Sequence, residues 1–221
     1  MTFSLPPAPN DGVASTKSRF ELTAGQTAAD LATAVRAARG GDEEAFRFLY
    51  REVQPGLLRY LRGLVGEDAE DLASETWLQI ARDIRSFRDE GAGFRGWAAT
   101  IARHRAMDHV RRNQRRPAIG LPVDLLADLP DAEDTAEHAI RLAATNATIA
   151  FIATLPKDQA EAVLLRVVVG LDAKSAAKVM GKRPGAVRTA AWRGLRTLAE
   201  RMDEMPQGVT HLGAVTPRKV R

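Results

Sequence analysis

The stretch Phe94–Arg116 reads FRGWAATIARHRAMDHVRRNQRR and combines an apolar helical stripe with a dense group of arginines. Phe94, Trp97, Ala98 and Ile101 recur at three- and four-residue steps, which places them on one side of a helix. The end, RRNQRR, has four arginines in six residues, more than the one or two that would stabilise a helix C-terminus. We therefore predict a helix that covers a core and contacts phosphate, with a solvated basic helix end as the alternative.

The composition indicates a folded protein of a reducing compartment. The 221 residues fit one or two domains, and an apolar content of 45% is enough for compact cores. The formal net charge is only +4, and the absence of cysteine excludes disulfides and thiolate metal sites. Prolines interrupt the N-terminal segment, and no apolar run reaches the roughly 20 residues of a membrane span. We expect a cytoplasmic protein with no membrane insertion.

Helical patterns with clear start and stop signals precede residue 67. A first helix begins near Asp30 and ends at Gly40, a residue that favours helix termination. Asp42 is a suitable N-cap for a second helix. Pro55 predicts the first turn of a separate continuation, which Gly66 closes.

An acidic helix is predicted over Glu67–Phe87. Its apolar positions, from Ala69 to Phe87, repeat at three- and four-residue steps, and its acidic side chains fall mainly off that stripe. Such an acidic face is usually a solvated surface, although it could also dock a basic partner helix. Composition leaves both interpretations open. The sequence RDEGAGF then interrupts the helical pattern before Phe94.

A change in composition at residue 117 divides the chain. Residues 117–138 contain three prolines and six acidic residues but no Lys or Arg, which is typical of a linker. We therefore predict an all-α protein in which a flexible linker joins two helical domains, 28–116 and 139–204. Residues 1–27 are expected to form a disordered N-terminal arm, and residues 205–221 a basic C-terminal tail.

The last helical block has the pattern of a helix-turn-helix. A short helix with Asp172 as its N-cap ends at Gly181, and Pro184 opens a second helix. Such a second helix can enter a DNA major groove, and DNA binding is favoured over a plain helical hairpin with a basic face. The residues expected to be buried on this second helix are Val187, Ala191, Leu195 and Leu198.

Three residues of the opening stretch could be imagined as a metal or acid–base site: His104, Asp108 and His109. One helical turn separates His104 from Asp108, so an intrahelical hydrogen bond or an Asp108–Arg112 pair explains them as well. No third ligand stands at suitable spacing, and no phosphate loop or nucleophile motif occurs. We expect no metal, no cofactor and no catalytic residue.

Taken together, these segments resemble a known family. Region 2 of the extracytoplasmic-function (ECF) sigma factors of bacterial RNA polymerase is similar to DAEDLASETWLQIARDIRSF followed, after a short loop, by FRGWAATIARHRAMDHVRRNQRR. Their region 4 is similar to IATLPKDQAEAVLLRVVVGLDAKSAAKVMGKRPGAVRTAAWRGLRTL. The resemblance covers about residues 28–203 and assigns region 2 to the first domain and region 4 to the second.

The resemblance implies a sigma factor that binds core RNA polymerase and directs promoter recognition and transcription initiation. The residues matching the face that binds the β′ clamp coiled coil are Asp68, Glu70, Asp71, Glu75 and Gln79. The region 2 residues expected to hold the −10 element are Arg88, Arg95, Arg103, His104, Asp108, Arg111, Arg112 and Arg115. The region 4 residues expected to hold the −35 element are Arg183, Gly185, Arg188, Thr189, Trp192, Arg193 and Arg196.

The implied partners are core polymerase, through its β′ clamp and β flap, promoter DNA and an anti-sigma factor. The sequence departs from the family at Arg183, where Ser or Thr usually caps the recognition helix, and the lost cap hydrogen bond costs about 1 kcal/mol. Ala190 and Ala191 stand where larger or polar residues are common. The alternative function is a stand-alone helix-turn-helix regulator, which would bind its operator without polymerase.

Overall fold

The computed structural model describes residues 27–88, 92–115 and 136–204. These residues form eight α-helices with short 3₁₀ and π turns, and no strand occurs among them. The helices are α1 (Thr27–Arg39), α2 (Glu43–Val65), α3 (Ala69–Asp83), α4 (Ala92–Arg115), α5 (Ala136–Ala153), α6 (Lys157–Val163), α7 (Ala173–Met180) and α8 (Pro184–Asp203). The prediction of an all-α protein with two helical domains is confirmed.

Helices α1 to α4 pack around the core of the first domain. Leu31, Leu49, Ile80 and Phe94 are all buried in that core. The apolar stripe predicted for the acidic helix is buried along its whole length, from Ala69 to Phe87. The helix itself is framed by two 3₁₀ turns, Gly66–Asp68 and Ile84–Ser86.

An aromatic cluster fixes the start of α4 against the end of the acidic helix. The rings of Phe87 and Trp97 stack with centroids 4.7 Å apart. Phe94 meets Phe87 edge-on at 5.8 Å and lies 5.8 Å from Trp97. Such pairs add to the burial of the rings, and they set the direction in which α4 crosses the domain.

Helix α2 is continuous, whereas the sequence predicted a separate helix that starts at Pro55. The helix runs from Glu43 to Val65 with Pro55 inside it. Pro55 is exposed, whereas Val53 and Leu57 on either side of it are buried in one apolar stripe. Burial of a continuous stripe outweighs the roughly 3 kcal/mol that an interior proline costs, so the prediction of a break at this residue is wrong.

The helix ends follow the capping rules on which the prediction relied. Asp42 Oδ1 accepts a hydrogen bond from the Ala45 amide at 3.0 Å, and Asp172 Oδ1 accepts one from the Ser175 amide at 2.7 Å. Gly181 adopts a left-handed conformation with φ of 65° and ends α7. Arg183 precedes α8 without a side-chain cap, as predicted.

The second domain depends on a close approach between α6 and α8. A Cβ added at Gly194 would lie 2.9 Å from Val163 Cγ2 and 3.2 Å from Leu155 Cδ1. Gly194 therefore occupies the buried position that the sequence assigned to Leu195, and Leu195 is 46% exposed. The prediction that Leu195 is buried is wrong because the helices approach too closely to admit its side chain at that contact.

The two domains pack against each other along α2. A five-residue π-helical segment, Leu164–Val168, follows α6 and lies on this helix. A Cβ added at Gly56 would lie 3.2 Å from the carbonyl oxygen of Val168, and one at Gly63 would lie 2.5 Å from Leu164 Cδ1. The absence of a side chain lets the backbones approach at Gly56 and makes room for the Leu164 side chain at Gly63.

The remaining predicted segments lie largely outside the described residues. Helix α5 begins at Ala136, which is inside the predicted linker 117–138. The rest of that linker, the predicted arm 1–27 apart from Thr27, and the predicted tail 205–221 fall outside the described ranges.

Candidate nucleic-acid interface

Helix α8 presents a cationic face to solvent while its opposite face is buried. Val187, Ala191 and Leu198 are buried against the second domain. Trp192 is 60% exposed, and the guanidinium of Arg196 lies 5.6 Å from its ring centroid, which is a cation–π contact. The predicted −35 residues are all exposed on or beside this helix: Arg183, Gly185, Arg188, Thr189, Trp192, Arg193 and Arg196.

An ion pair connects the turn that precedes α8 to α6. Lys182 pairs with Asp158 at the start of α6. Thr189 Oγ1 donates a hydrogen bond to the Gly185 carbonyl at 3.1 Å, so its hydroxyl is engaged with its own helix. These contacts help to orient the N-terminus of α8, whose arginines are exposed.

The acidic face of α3 is already paired with cations from the same domain. Arg62 Nη2 donates to Glu70 Oε1 at 2.7 Å. Arg105 donates from Nη1 to Glu75 Oε2 at 2.6 Å and from Nη2 to Gln79 Oε1 at 3.0 Å. Exposed pairs of this kind contribute about 0–1 kcal/mol each, so they organise the surface more than they stabilise the fold. We call the five residues Asp68, Glu70, Asp71, Glu75 and Gln79 the acidic ridge.

The N-terminal part of the acidic ridge contacts the end of α4. His109 Nε2 lies 2.9 Å from Asp68 Oδ2 and 2.9 Å from Asn113 Nδ2. Asp71 is exposed, and it has no ion-pair partner among the residues that the structure describes. Asp71 is therefore the ridge carboxylate that is most available to an external cation.

The predicted −10 residues on α4 divide into two environments. His104, Asp108, Arg111 and Arg112 are exposed, and the last three line an open groove of about 470 Å³ together with Glu75 and Arg105. Arg88, before α4, is exposed as well, and the side chain of Arg115 lies outside the described residues. Two others are partly buried: Arg95 lies 4.0 Å from Glu52 of α2 and beside Gly170 of the second domain, and Arg103 pairs with Glu161 of the second domain.

The His104, Asp108 and His109 set does not assemble into a metal site. Asp108 pairs with Arg111 at 3.2 Å, not with Arg112 as one interpretation of the sequence suggested. His109 is directed toward Asp68 instead. Within the described residues, no group of three or more His, Asp or Glu side chains could hold a metal ion.

A buried polar network joins the two domains. The Tyr60 hydroxyl donates to Glu161 Oε1 at 3.0 Å, and Arg103 Nε donates to the same oxygen at 2.5 Å. Glu161 is only 8% exposed and Tyr60 is fully buried. Burial, followed by the Glu161 charge, raises the pKa of Tyr60 well above its usual value of 10.0. The hydrogen bond to Glu161 is the main cause that raises the pKa of Arg103.

Comparison with known proteins places this architecture in a family. The family models of sigma-70 region 2 and sigma-70 region 4 match residues 49–116 and 146–198. The ECF RNA polymerase sigma factor ShbA of Streptomyces griseus is 34% identical over 172 residues, which cover 72% of this chain and 90% of ShbA. The chain belongs to the ECF sigma factors. Members of this family are transcription initiation factors that give RNA polymerase its promoter recognition.

Two further ECF sigma factors are similar at the same level. SigD of Mycobacterium tuberculosis is 34% identical over 179 residues, covering 77% of this chain and 82% of SigD. BldN of Streptomyces coelicolor is 34% identical over 168 residues, which are 75% of this chain but only 63% of BldN. This chain thus spans less than two thirds of BldN and most of the other two.

Solved structures share the fold of this ECF sigma factor. CnrH, solved in complex with the cytosolic domain of CnrY, has a TM-score of 0.56 at 20% identity, covering 80% of this chain and 99% of CnrH. RpoE of Bartonella quintana, solved with the anti-sigma factor NepR, has a TM-score of 0.55 at 22% identity, with coverage of 72% and 96%. Within the described ranges, none of the helices is both long and apolar enough to cross a bilayer.

The residues of this ECF sigma factor that sequence reasoning missed are those at the domain junction. Glu161 reads as one more polar residue of a short helix, and Tyr60 as one more apolar position of α2. A weak signal exists in Gly56 and Gly63, because two glycines seven residues apart on one helical face often mark a close approach. The glycines do not show which segment packs there, because Glu161, the hydrogen-bond partner of Tyr60, is 101 residues away in the sequence.

Proposed function

We propose that this ECF sigma factor recognises the −35 element through α8 and the −10 element through α4, while the acidic ridge binds the clamp of the polymerase β′ subunit. Regions 2 and 4 are proposed to extend over 28–116 and 139–204. The chain performs no chemistry itself. It gives core polymerase its sequence preference and helps to open the duplex in the cytoplasm.

One observation carries the proposal: the cationic face of α8 is exposed over its whole length. Arg188 and Arg193 are both exposed, and the helix is fixed below by Val187, Ala191 and Leu198. A helix that offers arginines at its N-terminal end can read base edges in the major groove and hold the phosphates beside it. A helical hairpin with a purely structural role does not require seven exposed residues of which four are arginines.

The acidic ridge supports the polymerase contact. Its carboxylates are exposed on α3, and Asp71 is open to a cationic partner. Electrostatic complementarity between such a ridge and a basic coiled coil favours rapid and oriented association. Leu78, which is 59% exposed, lies beside the ridge on the same helix and can add apolar contact area.

An anti-sigma factor is a further proposed partner. The solved structures of CnrH and RpoE contain CnrY and NepR respectively, and this chain has the same fold. We expect the partner to cover surfaces that polymerase needs, and co-purification of this chain with a protein from its own host that blocks its binding to core polymerase would identify it.

The experiment is a promoter-binding assay with purified core polymerase. The chain with core should form a salt-sensitive complex on its promoter, whereas the chain alone should bind far more weakly. Asp71→Lys should weaken the association with core at least severalfold and lower the unfolding midpoint no more than Glu44→Lys does, since both carboxylates lie exposed in the first turn of a helix.

Glu44→Lys is the matched control. It makes the same charge reversal at an exposed position of α2, where Glu44 pairs only with Arg47. If Asp71→Lys and Glu44→Lys bind core equally well, the acidic ridge is not the polymerase contact. Tight and specific DNA binding without core would favour the stand-alone regulator instead.

A further inference from the structure

A groove between α2, α4 and the π-helical segment is lined by three arginines. Arg51 and Arg59 of α2 and Arg95 of α4 form one wall, and Val168 and Val169 form the other. The volume of the groove is about 260 Å³. Neither Arg51 nor Arg59 belongs to the acidic ridge or to the residues proposed to bind DNA. We call this feature the arginine groove.

The geometry of α2 places both of its arginines along the groove. Arg51, Pro55 and Arg59 follow one another at four-residue steps, so they lie on one helical face. Gly56 lies beside them, and a Cβ added there would lie 3.2 Å from the carbonyl oxygen of Val168. The second wall therefore consists of valines and backbone, and the side-chain donors among the described lining residues are the three guanidiniums.

These guanidiniums have more donors than the chain supplies with acceptors. Arg51 is exposed and has no hydrogen bond or ion pair within the described ranges. Arg59 donates from Nε to the Pro55 carbonyl at 2.8 Å, which leaves its two Nη groups available. The buried Nε of Arg95 has no acceptor among the described residues, and its Nη2 lies 4.0 Å from Glu52 Oε2, beyond hydrogen-bond distance.

The charge and size of the groove define the chemistry of a ligand. Three guanidiniums and one carboxylate, Glu52, line it, so positive charge is in excess and an anion would relieve the repulsion. A phosphate can accept hydrogen bonds from several guanidinium forks at once, whereas a carboxylate has only two oxygens. The volume is below the roughly 300–1,000 Å³ of sites for drug-sized ligands, which favours a small anion.

We propose that the arginine groove is a binding site for a small phosphate-bearing anion, such as a monophosphate or a diphosphate. The bound anion accepts hydrogen bonds from α2 and α4 together, and it stabilises the free chain as any ligand of the folded state does. The proposal goes beyond the proposed function, because it needs neither polymerase nor promoter. Arg95 is also one of the proposed −10 residues, so the test uses Arg51 and Arg59.

The experiment is a titration of the full chain with sodium phosphate and with sodium pyrophosphate, without polymerase. Calorimetry should show saturable binding, and the unfolding midpoint should rise with the concentration of the anion. Arg51→Gln and Arg59→Gln should each weaken binding at least about tenfold, because each removes charge-assisted hydrogen bonds. Arg51 has no partner within the described chain, so Arg51→Gln should fold like the wild type.

Two matched variants separate the groove from the general effect of charge. Arg47→Gln removes the same charge one turn before Arg51, where Arg47 pairs with Glu43 and Glu44, and it should bind the anion like the wild type. Glu52→Gln removes the carboxylate that lines the groove and should tighten binding severalfold, whereas Glu44→Gln should leave it unchanged.

Three outcomes would overturn the proposal. They are the absence of saturable binding in the millimolar range, an equal loss of affinity in Arg47→Gln and Arg51→Gln, and an equal rise of the midpoint with sodium chloride at the same ionic strength. If Arg51→Gln and Arg59→Gln weakened promoter binding with core as much as pyrophosphate binding, the groove would belong to the DNA surface and the proposal would be wrong. Failure of the wild-type chain to bind core would remove the proposed function and leave the anion site standing.

Discussion

Individual arginines of this ECF sigma factor differ in their exposure and ion-pair partners, although the sequence alone does not distinguish them. Arg188 and Arg193 are exposed on α8, whereas Arg103 is paired with the buried Glu161. Arg105 pairs with Glu75 of the acidic ridge. The available arginines are therefore those whose charge no neighbouring carboxylate already offsets.

Arg188→Ala should weaken binding to the −35 element by about 1–3 kcal/mol, the range for an arginine that meets a base edge or phosphate. The slope of log affinity against log salt should become shallower by about one unit, since one fewer counterion is released. The measurement is a titration of fluorescent promoter DNA at several salt concentrations in the presence of core polymerase.

Arg47→Ala is the matched control for this residue. It removes the same charge from α2, where Arg47 pairs with Glu43 and Glu44. A salt slope that falls equally in both variants, or a loss of thermal stability in Arg188→Ala with no change of slope, would make Arg188 a structural residue and not a DNA contact.

The N-caps of single helices were accessible to sequence reasoning, and the partners of ion pairs were not. Asp42 and Asp172 were predicted as N-caps because a cap depends on a few neighbouring residues, and both accept the expected hydrogen bonds. A pair with Arg112 was one of two alternatives offered for Asp108, but its partner is Arg111, since both arginines lie within reach on the same helix. The roles of the ridge and DNA residues stay predictions.

At the scale of the element, the buried apolar stripe determines where a helix runs, and a single residue of low helix propensity within it does not end the helix. The residues that the periodicity of α3 predicted to be buried are buried because one helix face meets one core, although Trp77, outside the predicted stripe, is buried as well. For the same reason α2 continues through Pro55, although helix propensity alone predicts that a helix starts at this residue. The periodicity of α8 misplaced Leu195 because it cannot show how closely a second helix approaches.

Gly194→Ala tests that approach. The added methyl would lie 2.9 Å from Cγ2 of Val163, a β-branched side chain with little rotational freedom. Overpacking of this kind costs about 1–3 kcal/mol, whereas alanine gains about 1 kcal/mol in helix propensity. We expect a net loss of about 1 kcal/mol in the free energy of unfolding, measured by urea denaturation.

Gly185→Ala provides the comparison on the same helix. The nearest atom to its added Cβ, Arg188 Nη2, is 3.9 Å away at the exposed N-terminal end of α8. This variant should be stabilised by up to about 1 kcal/mol, because only the propensity contributes. If Gly194→Ala matched or exceeded it in stability, α6 and α8 would not approach as closely as the structure indicates.

At the scale of the whole molecule, the junction between regions 2 and 4 is the feature that the sequence concealed. The prediction of two helical domains is confirmed, but the proline-rich acidic composition that predicted a linker gave no sign that the domains meet. Tyr60 and Glu161 are 101 residues apart, and a single sequence contains no local pattern that reports such a pair. Periodicity assigns each helix a buried face without saying which distant helix covers it.

The raised pKa of Tyr60 makes this junction sensitive to alkaline pH. The folded state favours the neutral hydroxyl, so its contribution is fully present below the unfolded value of about 10 and is lost as pH rises from there through the higher folded value. The free energy of unfolding should therefore fall more steeply above pH 10 in the wild-type chain than in Tyr60→Phe. Urea denaturation at a series of pH values measures both.

Tyr50→Phe is the control, and the chain has no third tyrosine. Tyr50 is 41% exposed and packs on Trp77 away from the junction. This variant should keep the wild-type dependence on alkaline pH. At neutral pH Tyr60→Phe should also lose about 1.5–3 kcal/mol, the range for a hydrogen bond to a charged group. Parallel pH curves for wild type and Tyr60→Phe would contradict the assignment.

The internal pairing of the acidic ridge changes what an approaching cation meets. Glu70 and Glu75 are held by Arg62 and Arg105, so an incoming lysine or arginine must displace a guanidinium that is already in place. Docking at these residues is an exchange of one ionic partner for another, with little net gain in charge neutralisation. Each displaced arginine then keeps only a neutral partner, Asn146 for Arg62 and Gln79 for Arg105, and its charge becomes available to an anion that arrives with the incoming protein.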